Sequence, residues 1–305
     1  MPGSMADPKT VLAAVALAAG AFALYRPIVR HEFIDWDDPI YITRNEHVRD
    51  GLSWDGVRWA LTADRGGLWM PLTWISILLD VEVYGLDPAG HHRTNALLHA
   101  VNAVLVLLFF RAATRGRDAA PLATWALAAA LFAFHPLRVE SVAWATERKD
   151  VLSAFFGLGA LLAWTRWVRK PGPGPYALAL ASFLASLAAK PMLVTLPCLL
   201  LLLDAWPFDR FTGRSRRGIA LLVAEKVPFL AIALAVSGAT IWMNQRHGAL
   251  HSLEGHSLGG RASVATLGWV QYLGRTVWPV RLSIFYPIPR ELPAETSSIP
   301  IGFPL

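Results

Sequence analysis

Charge is scarce in this sequence, and cysteine is almost absent. Asp, Glu, Lys and Arg make up 16% of the 305 residues, against about 25% in soluble domains. A soluble fold of this length needs more polar cover than that, so an ordinary water-soluble domain is excluded. The one cysteine, Cys198, excludes a disulfide framework and any cysteine-based zinc site. No internal repeat or low-complexity tract stands out. Pro171-Gly-Pro-Gly-Pro175 makes a tight turn, too short for a domain linker.

What the sequence does have is apolar residues, 54% of the chain, with a mean hydropathy of +0.41. They fall in runs nearly free of charge: residues 10–29, 94–110, 119–134, 151–168, 175–189, 191–206 and 227–243. Crossing about 30 Å of hydrocarbon takes about 20 helical residues. Some runs fall short, and flanking residues such as Arg166 can snorkel to make up the difference. Trp144, Trp167, Trp206 and Trp242 stand near run ends, as an interfacial aromatic belt requires. The expectation is an all-α, polytopic membrane protein of seven spans occupying residues 1–305. Lys9, the apolar residues 11–25 and Ala21-Phe22-Ala23 imitate a cleavable signal peptide. Tyr25-Arg26-Pro27 continues smoothly into the next loop, which favours an uncleaved anchor. The final Ile299–Leu305 stretch reads as an eighth span beginning.

The net charge of +6 raises the question of nucleic acid, and the placement of the cations answers it. They concentrate in three connections: Arg111, Arg115 and Arg117; Arg166, Arg169 and Lys170; Arg210, Arg214, Arg216 and Arg217. With the N-terminus in the cytoplasm, all three lie inside, as the positive-inside rule demands. No basic face with interleaved aromatics appears, so no nucleic-acid partner is expected. Leu68–Tyr84 is apolar but contains Pro71, Asp80 and Glu82, and counting it as a span would invert every later loop. It reads as an interfacial or re-entrant helix in an outer loop, and residues 260–277, interrupted by Gly274 and Arg275, read the same way.

The outer side then receives residues 30–93, 135–150, the turn at Lys190 and 244–298. In the first loop, Phe33-Ile-Asp-Trp-Asp-Asp-Pro-Ile-Tyr41 places Asp37 and Asp38 just after the first span. Adjacent carboxylates against apolar surface repel, and desolvation raises at least one pKa, which suits a general base. A solvated acidic turn before Pro39 and a weak divalent-cation site are the other readings. In the second, His135, Arg138, Glu140, Arg148, Lys149 and Asp150 lie where one run emerges and the next re-enters. They are either a self-paired loop or a site, because charge at a run end is costly unless used. His135 is a metal ligand or, as its Pro136 neighbour favours, a helix end. In the third, Ala188-Ala-Lys-Pro-Met192 holds Lys190 between two runs, where it snorkels or meets a partner. Three hairpins bringing carboxylates and cations to one membrane face suit a lipid-linked anionic substrate, with its tail in the bilayer and its phosphate at the interface.

At these motifs the sequence resembles a known family. Phe33 to Asn45, His135-Pro-x-Arg138-x-Glu140-x-Val-Ala-Trp with Arg148-x-Asp150, Ala188-Ala-Lys-Pro-Met192, Asp204-x-Trp-Pro207 and Tyr272-Leu…Trp278-Pro-Val-Arg-Leu-Ser283…Tyr286-Pro look like the membrane part of the transmembrane-and-TPR-repeat O-mannosyltransferases, which are GT-C glycosyltransferases. The resemblance covers about residues 30–290. It implies a GT-C-type multi-span helical bundle with a catalytic Asp in the first outer loop. Asp37-Asp38 match that motif. The implied reaction is inverting transfer of a sugar, mannose by the family's name, from a polyprenyl-phosphate donor to a hydroxyl acceptor, Ser or Thr of an exported protein. Asp37 or Asp38 is then the base, Arg138, Lys190, Arg148 and Lys149 hold the donor phosphate, and His135, Glu140 and Asp150 support them. No cofactor and no metal are needed, since the leaving group is already a phosphate. The implied place is an integral membrane protein, in the plasma membrane if bacterial, with its site on the extracytoplasmic face. The family's C-terminal helical repeats are not in these residues. A non-catalytic scaffold and a secondary transporter are the alternatives, although neither an inverted repeat nor a mid-span carboxylate is visible.

Overall fold

A computed structural model describes residues 7–115, 121–248, 258–280 and 282–284. The chain divides into two compact units, one ending at His247 and one beginning at Gly248. Among the described residues the secondary structure is helical, with no strand.

The first unit opens with α1 (Pro8–Tyr25), where Pro8 occupies the first helical turn and an Ala/Leu/Val-rich sequence follows. A 3₁₀ turn at Arg26–Arg30 ends it, and the first loop then builds the short helices α2 (Trp54–Thr62) and α3 (Pro71–Tyr84). Ser53 caps α2 by accepting from the Gly56 amide at 3.0 Å. α4 (Pro88–Ala113) is capped by Asp87, and its 26 residues extend about 39 Å at 1.5 Å per residue. α5 (Leu122–Phe134) leads through a bend of 52° into the short α6 (Val139–Ala143). α7 (Arg148–Arg169), α8 (Pro173–Ala189), α9 (Leu196–Ala205), α10 (Arg216–Ala224) and α11 (Val227–Arg246) complete the unit.

α4 is the spine, packing against α1, α5 and α7. Its contacts fix the directions. Asp7 and Thr10 meet Arg111, whereas Tyr25 meets His99, so α1 and α4 are antiparallel. Asn102 meets Val151 and Arg169 meets Ala113, so α4 and α7 run parallel. α7 and α8 close as an antiparallel hairpin through Ser153 and Ser186, 3.1 Å apart. Gly157 lets Leu193 pack closely there, because a Cβ at that position would push the tip of the Leu193 side chain aside. The largest apolar core lies between α7, α8, α9 and α11, around Trp164, Phe183, Leu187, Leu200 and Phe229. Leu12, Val15 and Leu234 are among many large apolar side chains left exposed on the outer helices, as lipid-facing positions are.

α1 with its 3₁₀ turn, α4, α7 with the turn before it, and α11 are long and apolar enough to cross a membrane, and the bent α5–α6 pair is a fifth candidate. Two expected runs depart from a simple crossing. α8 has 17 residues, and the 191–206 run starts with turns and becomes helical only at Leu196, leaving α9 with 10 residues. Ten residues cover about 15 Å, half the hydrocarbon thickness, because Pro191 and Pro197 flank the non-helical stretch. α3 is too short to cross, in keeping with the expectation for Leu68–Tyr84, but it does not lie free on a surface. Thr73, Trp74, Ile77, Leu78 and Asp80 are buried, and the Thr73 hydroxyl donates to the Ala189 carbonyl at 2.8 Å.

In the second unit, α12 (Leu258–Val277) coincides with the expected 260–277 helix and is not among the helices apolar enough to cross. Trp269, Val270 and Tyr272 are exposed on it. Arg117, Tyr286 and Ile299–Leu305 lie outside the described residues.

Candidate active site at one end of the bundle

The antiparallel packing carries the arginine-rich connections at 111–115, 166–170 and 210–217 to one end of the first unit. The first loop, residues 135–150 and Lys190 go to the other. This second end is built around the start of α7. Acidic side chains suit a helix N-terminus, and Glu147 and Asp150 occupy the cap and the first turn. Lys190 ends α8 in extended backbone and reaches across the hairpin. Its Nζ lies 2.5 Å from Asp150 Oδ1 and 3.3 Å from Glu147 Oε2. The other Glu147 oxygen holds Lys149 Nζ at 2.8 Å, and Lys149 Nζ in turn lies 3.9 Å from Asp37 Oδ2 and 4.9 Å from the centre of the Tyr41 ring. Ser141 donates to Asp150 at 2.8 Å. Five ionic groups from three hairpins thus form one chain: Asp37, Lys149, Glu147, Lys190 and Asp150.

Burial alone would lower the Lys190 pKa. The Asp150 and Glu147 carboxylates outweigh it and raise that pKa above the ordinary lysine value. Burial, reinforced by the Asp37 and Glu147 carboxylates, raises the Tyr41 hydroxyl, which therefore stays protonated.

The two neighbouring aspartates divide. Asp38 is fully buried, and its oxygens accept from the Ile34 amide (2.8 Å), the Trp144 indole (3.0 Å) and the Thr146 amide (3.2 Å). Asp37 is half-buried and opens toward Lys149. Arg148 is the other wholly interior charge at this end of the bundle. It donates to Asp80, Asn95, Ser76 (2.8 Å) and the His91 carbonyl (2.9 Å). Asn95 passes the connection on to the Trp144 carbonyl at 2.9 Å. With its donors turned inward, Arg148 braces the floor of the site rather than its opening.

Arg138 is placed apart from the other expected cations. It is exposed, its guanidinium lies over the Phe132 ring at 5.0 Å, and among the described residues it makes no ion pair, with Glu140 or any other. His135 caps the turn that follows, its Nδ1 accepting from the Leu137 amide at 3.2 Å. Asn45 is buried in its own turn, bonded to the Tyr41 carbonyl and the His47 amide.

Sequence reasoning missed Glu147, which bridges both lysines, and Asp80, which was counted only as an obstacle to a span. Glu147 gave the same signal as Arg148 and Lys149: a charge at the edge of an apolar run. Asp80 is the buried one of two acids in an otherwise apolar helix, and such a residue needs a buried partner. At the opposite end, Asp204 of the Asp-x-Trp-Pro motif is a buried structural group. It binds Lys226 and Arg210, and Arg210 also grips Glu225 through two bonds of 2.8 and 2.9 Å.

An all-α bundle with at least four apolar helices long enough to cross a bilayer, and an ionic network at one end, is a polytopic membrane protein. Its similarities point to one family. Over 196 residues, 57% of the chain, it is 32% identical to the protein O-mannosyl-transferase TMTC1 of Mus musculus. Over 130 residues, 42% of the chain, it is 35% identical to Tmtc1 of Drosophila melanogaster, and over 96 residues, 32% of the chain, 33% identical to TMTC3 of Mus musculus. The matched region amounts to 20%, 14% and 10% of those three proteins, so the chain spans a fifth or less of their length. No family model and no solved structure matches it.

Proposed function

We propose that this chain is the membrane part of an inverting glycosyltransferase that moves mannose from a polyprenyl-phosphate donor to a hydroxyl acceptor, Ser or Thr of an exported protein, on the extracytoplasmic face. One observation carries the reading. Of two adjacent aspartates, one is saturated with hydrogen bonds and the other is left half-accessible beside a buried lysine. Asp37 is the base. It takes the acceptor proton as the hydroxyl oxygen bonds to the anomeric carbon, and the bond from that carbon to the phosphate oxygen breaks. The electron pair leaves with the polyprenyl phosphate, whose added negative charge needs cations. Arg138, free of carboxylates, meets the phosphate with a planar fork, and Lys190, held upright by Glu147 and Asp150, supplies a point charge. Lys149 stands 3.9 Å from Asp37 and orients it, Arg148 and Asp38 fix the floor, and no cofactor or metal enters the reaction.

The names of the relatives support the class of reaction. A second reading, a non-catalytic scaffold, draws on the same network, since Lys149 and Lys190 already have carboxylate partners. The experiment is incubation of the purified protein with a panel of radiolabelled polyprenyl-phosphate sugars and Ser/Thr peptides. Transfer of mannose, lost by about 10²–10⁴-fold in Asp37→Asn, supports the enzyme. Absence of transfer from every donor leaves the scaffold.

A further inference from the structure

At the end of the bundle opposite Asp37, the last turns of α4 and α7 form the walls of an open hollow of about 520 Å³. Its wall carries five cations, Arg111, Arg115, Arg166, Arg169 and Lys170, and Leu162 gives it an apolar patch. Arg111 is engaged by Asp7 at 3.6 Å and by Thr10. Arg169 donates to the Ala113 carbonyl at 3.1 Å and so ties the two helix ends together. Among the described residues, Arg115, Arg166, Arg169 and Lys170 meet no carboxylate.

Charge sorting across the membrane accounts for the sign of these residues and their side. It does not account for the hollow between them. Cations that only mark a side are best dispersed in water, where their repulsion is weak. Gathering them around one hollow with an apolar patch holds like charges close together, and their repulsion, although softened by water at the exposed side chains, is relieved by an anion between them. Two helix C-termini offset this by about half a charge each, and Asp7 answers Arg111. The remaining excess is positive, so the cavity favours an anion.

The lining also limits the kind of anion. Guanidinium forks match phosphate oxygens, and an apolar patch between helices that face lipid suits a ligand with a hydrocarbon part. We propose that this cavity binds the phosphate headgroup of an anionic membrane phospholipid, with Arg115 and Arg166 as its principal contacts. The site is independent of the transfer reaction assigned to the other end.

The test uses the purified full chain in neutral detergent, titrated with dihexanoyl phosphatidylglycerol, with its phosphatidylcholine analogue and with inorganic phosphate, reading bound ligand by native mass spectrometry. Phosphatidylglycerol is expected to bind at least about tenfold tighter than phosphatidylcholine, and inorganic phosphate to compete poorly. Arg115→Gln with Arg166→Gln is expected to weaken phosphatidylglycerol about ten- to a hundredfold. Both side chains are exposed, so the thermal transition should be kept. Arg115→Lys with Arg166→Lys preserves the charge that orients the chain and should lose less. Equal binding of the two lipids, or unchanged phosphatidylglycerol affinity in the glutamine pair, overturns the site. Inorganic phosphate competing as well as the lipid overturns the assignment to a phospholipid.

Discussion

The indole of Trp144 donates to the carboxylate of Asp38, 106 residues earlier, across 3.0 Å. This bond joins the first loop to the segment that starts α7, and the Thr146 amide reinforces it on the same oxygen. It takes Asp38 away from chemistry and sets its neighbour Asp37 at the opening. The two aspartates therefore differ in what their loss should do.

Asp38→Ala should lower stability as well as any transfer, because a buried indole, the buried Thr146 amide and the part-buried Ile34 amide lose their carboxylate acceptor. Hydrogen bonds to charged groups contribute about 1.5–3 kcal/mol each, so a fall of several degrees in the thermal transition is expected. Asp37→Asn should leave that transition nearly unchanged. Differential scanning fluorimetry of both variants in detergent checks the contrast, and equal shifts would remove the division of labour.

Arg148 and Asp80 form a buried ion pair at 2.5 Å. Removing one partner of such a pair costs about 3–5 kcal/mol, since the other charge remains buried, while replacing both by apolar groups is far milder. Asp80→Leu and Arg148→Met should each destabilise strongly, and the double variant should recover much of the loss. A denaturation cycle over the four proteins measures the coupling. Additive losses would mean the pair is not coupled.

The pH dependence of Lys190 has a definite sign. Its folded pKa lies above the ordinary 10.5, so its contribution to stability is fully present below that value and is lost as pH rises through the folded pKa. Wild-type stability should therefore fall in the alkaline range above about pH 10.5 more steeply than that of Lys190→Met. Thermal transitions between pH 8 and 12, on scales of roughly one unit, test this. Parallel curves for the two proteins would refute the ion-pair assignment.

The separation of the two charged ends predicts a labelling pattern. With Cys198 replaced by Ala, single cysteines at Arg115 and Arg214 should resist membrane-impermeant thiol reagents in intact cells. One at Trp54, exposed in the first loop, should react. Labelling at 115 from outside would invert the arrangement and place the Asp37 network in the cytoplasm.

The sequence by itself determined the all-α membrane class, because burial in hydrocarbon is a local and cumulative property: each long charge-free run must satisfy its own backbone by becoming a helix. The gathering of charge at run ends was legible for the same reason, and it brought Asp37, Lys149, Asp150 and Lys190 to notice together. The short α9 was not legible, since Pro191 and Pro197 act through backbone geometry that hydropathy does not register. Only the tertiary structure decided which charges face each other. Neither Asp38 reaching Trp144 nor Arg148 turning inward to Asp80 leaves a trace in composition or spacing. The same holds for Glu147, shared between two lysines. Each pairing joins hairpins brought together by helix packing, and a Coulomb or hydrogen-bond partner is set by distance in space, which separation along the chain does not encode.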